Sequence, residues 1–112
     1  MPSGYKKIYW TDHSKIKMRQ YGLSKSKLLQ LLYRPERTEE GIAVGTCAVM
    51  QAKKSYSKAK IKRSPGEIWL MYSDTKDVRK IISAWWYPGI SKPGDTIPIP
   101  DDIRQELLRT DN

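Results

Sequence analysis

A chain of 112 residues with a single Cys and no Phe holds one domain with one core, and its lone thiol excludes an internal disulfide and a cysteine-based zinc site. The formal charge of +9 is placed unevenly: residues 1–66 carry 15 Lys/Arg against 4 Asp/Glu, and residues 67–112 carry 6 against 8. That balance draws the first part of the chain to polyanions, of which RNA and DNA are the commonest inside cells, with a solvated basic surface as the plain alternative.

The start, "MPSGYKKIYW", lacks a long apolar run, and no segment reaches the roughly 18 apolar residues of a membrane span. With the unpaired cysteine this predicts a soluble, cytoplasmic protein that has no membrane partner. Tyr5 to Trp10 alternates weakly, as a short edge strand would. Thr11 or Asp12 can cap a helix that runs to about Tyr21 and stops at Gly22. Ser24 can cap a second helix, with Leu28, Leu31 and Leu32 as its core stripe and Arg34-Pro35 as its stop.

From "RTEE" through "GIAVGTCAVMQAKK" the pattern turns to strands interrupted at Gly41 and Gly45. Cys47 reads as a small buried hydrophobe within this run. Glu67 to Asp74 reads as the next strand, and a short "SDTKDV" linker joins it to a last strand, "KIISAWWY". Strict alternation puts Ile81, Ser83, Trp85 and Tyr87 on one face and Ile82, Ala84 and Trp86 on the other, so each face carries an indole. A Pro/Gly-rich connection follows, then a short helix, "DDIRQELLR", whose Asp101 and Asp102 read as caps rather than metal ligands.

Between the middle strands, Lys53 to Arg63 holds six Lys/Arg in eleven residues. Lys53, Lys54, Lys58, Lys60, Lys62 and Arg63, with Tyr56 among them, fit a ribbon that follows a phosphate backbone and offers a ring to a base. They fit equally a solvated hairpin tip whose lysines deter edge-to-edge pairing. No Gly-rich phosphate loop, metal-spaced cluster or internal repeat is present, so no cofactor and no metal is expected.

His13 is the only histidine, and it falls in the first turn of the first helix, where the positive end of the helix dipole disfavours imidazolium. A neutral imidazole can take a proton from a ribose 2′-hydroxyl, and Lys17, four residues on, shares its helical face and can offset charge on phosphorus. The plain reading of His13 is a surface or capping residue.

The stretch "DHSKIKMRQYGLSKSKLLQLLYRPE" resembles the start of the small RelE-type domains grouped as DUF4258 and BrnT-like. His13 falls on the motif His, Lys17 on its Arg, Met18 on its Met, and Gly22-Leu23-Ser24 on its Gly-Ile-Ser turn. "VRKIISA" is similar to the "RIISA" strand of BrnT ribonuclease toxins. The resemblance implies an α+β fold with two N-terminal helices on an antiparallel sheet of three to four strands. Residues 1–112 then form one domain, with 90–112 as a C-terminal extension bearing a short helix. It also implies an RNA-binding, metal-independent endoribonuclease of a toxin–antitoxin pair, acting on RNA, including ribosome-associated mRNA, and neutralised by a cognate antitoxin.

In that scheme His13 and Lys17 act with Arg79 on the phosphate and Tyr87 as a hydroxyl donor. Trp85, with Tyr87, makes a stacking platform on an open sheet face. Three family arginines are replaced, by Lys17, Tyr21 and Trp85, and a lysine lacks the bidentate fork of arginine. A non-catalytic nucleic-acid-binding or protein-interaction module is the competing class.

Overall fold

The computed structural model describes residues 6–52 and 66–109. Within them the order is β1 (Lys7–Trp10), α1 (Asp12–Tyr21), α2 (Lys25–Tyr33), β2 (Arg37–Glu40), β3 (Thr46–Ala52), β4 (Glu67–Asp74), β5 (Val78–Tyr87) and α3 (Asp101–Arg109). The fold is α+β, and the sheet has five strands in the order β1-β5-β4-β3-β2. It is mixed: β1 lies parallel to β5, while the other pairs are antiparallel. This corrects the expected antiparallel sheet of three to four strands. Residues 7–10 leave the sheet before the helices and are paired by a strand some seventy residues later, a contact that local sequence does not announce. Among the described residues no helix is long and apolar enough to cross a membrane.

The helix ends follow local chemistry. Thr11 caps α1 by accepting the Ser14 N–H, and its hydroxyl also donates to the Ile81 carbonyl at 2.8 Å, so one side chain ends the strand, starts the helix and ties both to β5. Gly22 closes α1 at φ 69, a left-handed conformation that costs a glycine little. Ser24 caps α2 through the Lys27 N–H.

β1 stops at Trp10, opposite Ile81. α1 then lies along the stretch of β5 that β1 leaves unpaired, which gives it two working sides. Met18 joins Leu28, Leu31 and Leu32 of α2 against Val49, Ile68, Leu70, Ile81 and Ala84 on one sheet face. His13 and Lys17 turn instead toward α3.

The second sheet face is also a core. Ala48, Met50, Trp69, Met71 and Trp85 are covered there by Ile97 and by Ile103 of α3. A buried polar tie holds this cover down. The Ser91 hydroxyl donates to Glu67 at 2.7 Å and accepts from Arg37 at 2.6 Å, Glu67 also accepts the Trp69 indole N–H at 3.1 Å, and the Arg37 guanidinium sits over the Trp69 ring.

β5 does not alternate strictly. Met71 pairs with Ser83 but Tyr72 pairs with Ile81, which leaves Ile82 as an extra residue. A bulge of this kind resets the faces: Ile81 joins Ala84 under the helices, while Ser83 and Trp85 point to the other side.

Candidate functional site

A cleft of about 420 Å³ opens between the start of α1, the turn joining β2 to β3, the outer parts of β4 and β5, and α3. The turn wall is built by Thr46, whose hydroxyl donates to the Ala43 carbonyl at 2.6 Å and accepts the Ala43 N–H. A Cβ on Gly41 would fall 2.0 Å from that hydroxyl oxygen, so the wall needs glycine at this position. The floor carries Ser73, Lys80 and Ile82, and His13 and Glu106 face each other across one end.

His13 is held from both sides. Its Nε2 lies 3.1 Å from the Ser83 hydroxyl and its Nδ1 lies 3.8 Å from the Glu106 carboxylate. Burial pushes its pKa below the usual 6.5, and nearby Lys17 adds to that, while Glu106 and Asp102 pull the other way and do not win. The ring is therefore neutral near pH 7. The Ser-His-Glu row has the residue types of a hydrolase triad, but Ser83 is fully buried in mid-strand and cannot reach a substrate. Its hydroxyl orients the imidazole instead.

Lys80 is exposed, lines the cleft and has no ion-pair partner among the described residues. No group of three or more His, Cys, Asp or Glu side chains is arranged to hold a metal ion among those residues.

Of the expected site residues that the structure describes, His13 alone lines this cleft. Lys17 is 8% exposed and its ammonium is engaged by the Gln20 amide oxygen at 3.0 Å and by the Asp102 carboxylate. It is an internal tie between α1 and α3, which corrects its reading as a phosphate contact. Arg79 forks onto both Asp74 oxygens at 2.7 and 2.8 Å and lies over the Tyr72 ring, on the helix side at the far end of β5. That pairing also holds the Asp74 carboxyl below its ordinary range. Tyr87 sits at the opposite end of β5, about 13 Å beyond Ser83 at ~3.3 Å per residue, so the four residues do not converge.

Trp85 corrects a second expectation. It is 0% exposed, stacked on Trp69 with centroids 6.1 Å apart and planes within 5°. Strand alternation rightly sets it opposite to Trp86, but its face is closed by Ile97 and Ile103, so it offers no platform to a base. Its indole N–H is buried without a hydrogen-bond partner among the described residues. Lys53, Lys54, Tyr56, Lys58, Lys60, Lys62 and Arg63 lie outside the described residues.

Sequence reading missed Lys80, Ser83 and Glu106. One signal was present: Asp102 and Glu106 are four apart on α3, as His13 and Lys17 are on α1, a spacing that lets two helices meet in opposite charges. Comparison with known proteins adds no identity: no family model, no curated protein and no solved structure matches this chain significantly.

Proposed function

We propose that this chain is a cytoplasmic RNA-binding domain of the RelE/BrnT type, and that the His13 cleft receives a ribose–phosphate unit of single-stranded RNA. The observation that carries this reading is the His13 imidazole, whose pKa burial lowers, sharing one concave site with the exposed Lys80 side chain in a chain whose first 66 residues hold an eleven-charge excess of cations.

In this mechanism the Nε2 N–H of His13 donates to the Ser83 hydroxyl, and Nδ1, at 3.8 Å from Glu106 and so beyond hydrogen-bond distance of it, accepts the proton of a 2′-hydroxyl as that oxygen bonds to phosphorus. The bond from phosphorus to the 5′-oxygen breaks, a proton from water completes the leaving hydroxyl, and Lys80 offsets the charge on the phosphoryl oxygens. The products are a 2′,3′-cyclic phosphate and a 5′-hydroxyl. A cognate antitoxin is the partner that such an activity requires in its host.

A second reading, a binding module without catalysis, is favoured by the ion pairs that occupy Lys17 and Arg79, since they leave the cleft with fewer cations than phosphoryl chemistry usually employs. Incubating the full chain with end-labelled RNA in EDTA separates the two. Cleavage to a cyclic phosphate that His13→Ala abolishes supports the nuclease. Salt-sensitive binding without cleavage assigns the module, and absence of salt-sensitive binding ends both.

A further inference from the structure

The row of residues that crosses the sheet at the cleft floor does not stop at β5. Thr46 pairs with Ser73, Ser73 with Lys80, and Lys80 with Tyr9, so one register line runs from β3 through β4 and β5 to β1. Thr46, Ser73 and Lys80 all line the His13 cleft. At ~4.8 Å between neighbouring strands the line is about 14 Å long, and Tyr9 is its outer end.

Alternation fixes the side on which Tyr9 lies. Ile8 and Trp10 pack against the core beneath α1 and α2, so Lys7 and Tyr9 point to the opposite face. Ile81 belongs to that same core, which sends its neighbour Lys80 to the face of Tyr9. Thr11, two residues beyond Tyr9, already lines the cleft. Tyr9 is 56% exposed, and no described residue stacks on its ring or hydrogen-bonds its hydroxyl. It is an aromatic surface with two exposed cations for neighbours, Lys80 beside it across the strand pair and Lys7 two residues back on the same face. Neither cation has an ion-pair partner among the described residues.

An exposed ring on an edge strand could also serve pairing with a second chain. β1 has only four residues, however, and Lys6 and Lys7 stand at its start, both features that deter edge-to-edge association. The mixed character of the site selects its ligand. A free phosphate would use the cations and leave the ring idle, and an apolar peptide would use the ring and gain nothing from the cations, whereas a nucleic acid strand uses both. Lys80 precedes Ser83, which holds His13, by three residues, at most about 10 Å along β5 at ~3.3 Å per residue. Ring, ammonium and imidazole are therefore placed for neighbouring nucleotides of one strand.

We infer that Tyr9 is the nucleobase-stacking residue of the His13 cleft, holding the base of a nucleotide adjacent to the ribose–phosphate unit at His13, with Lys80 and Lys7 beside the flanking phosphates. The inference rests on the RNA-binding reading and adds where a base is held. Every base has a π-face, so the site is tolerant of sequence, and stacking needs the ring and not its hydroxyl.

The test uses the full chain with two probes, a single-stranded oligoribonucleotide and polyphosphate, a polyanion without bases. Tyr9→Ala should weaken RNA binding roughly 5- to 150-fold, the equivalent of the usual loss of one base–aromatic stack, and leave polyphosphate binding and the melting midpoint unchanged. Tyr9→Phe should retain the RNA affinity. Wild-type protein photocrosslinked to 4-thiouridine RNA should carry an adduct on Tyr9, a readout that needs no variant to fold. RNA binding that Tyr9→Ala leaves unchanged, an equal loss for RNA and polyphosphate, or adducts confined elsewhere overturns the stacking role and leaves the RNA reading standing. Self-association that Tyr9→Ala abolishes while RNA binding persists overturns it in favour of an edge contact. A wild-type chain that binds no RNA overturns the inference together with the reading beneath it.

Discussion

His13 is the residue on which the chemistry turns, and being the only histidine it gives a single imidazole signal to follow by NMR. Its midpoint should fall below 6.5, and Glu106→Gln should lower it further by removing the largest opposing influence. Because the folded-state pKa is depressed, the contribution of His13 to stability is complete above the unfolded value near 6.5 and is lost as pH falls toward the folded value. A midpoint above 6.5 in the wild type would mean that Glu106 outweighs burial and that the ring is charged in the cleft. Trp85 is the second decisive residue. Fully buried and stacked on Trp69, it should cost about 3–5 kcal/mol in a denaturant-monitored Trp85→Ala variant, part of that offset by release of the unpartnered indole N–H. A loss below about 1 kcal/mol would contradict its place in the core.

At the scale of elements, α3 matters more than its position at the end of the chain suggests. Ile103 closes the second core, Asp102 neutralises Lys17, and Glu106 forms one end of the cleft beside His13. The extension expected at 90–112 is thus part of the site. Lys17 beside Asp102 holds that carboxyl below the ordinary carboxylate range. The pair therefore stabilises the fold above about pH 3.8 and ceases to do so as pH falls through the lowered folded value. The Asp102 side chain is half exposed, so solvent screening discounts the gain. Asp102→Asn should destabilise by about 1–2 kcal/mol at pH 7, measured by urea unfolding, and the difference from wild type should shrink toward zero in acid. An equal difference at pH 7 and in strong acid would rule out the ion pair as its source.

Across the whole molecule the cations are asymmetric, and this asymmetry predicts behaviour that no single contact does. RNA affinity should fall linearly on a log–log plot against salt, as phosphate contacts release counterions. Replacing Lys58, Lys60 and Lys62 with Gln should flatten that slope by about 2, at roughly 0.7 per contact for a single strand. An unchanged slope would remove these lysines from the interface.

How much of this was legible from the residues divides by range. Thr11, Ser24 and Gly22 act within a few positions of themselves, so the caps and the span of both early helices are written locally, as is the Leu28-Leu31-Leu32 stripe that buries α2. The alternation of β5 correctly sends Trp85 and Trp86 to opposite sides. Sequence also determined that one histidine starts a helix and that cations crowd the first 66 residues. Only the tertiary structure decided which sides are open. Periodicity reports that a face is apolar and not what covers it, so the closure of the Trp85 face by Ile97 and Ile103 was invisible. The bulge at Ile82 depends on how β4 and β5 pair, and the engagement of Lys17 and Arg79 by Asp102 and Asp74 depends on how folded elements meet. Local propensity fixes the elements, whereas burial and ion pairing depend on contacts between residues far apart in the chain, and those contacts determine which side chains remain free to meet a ligand.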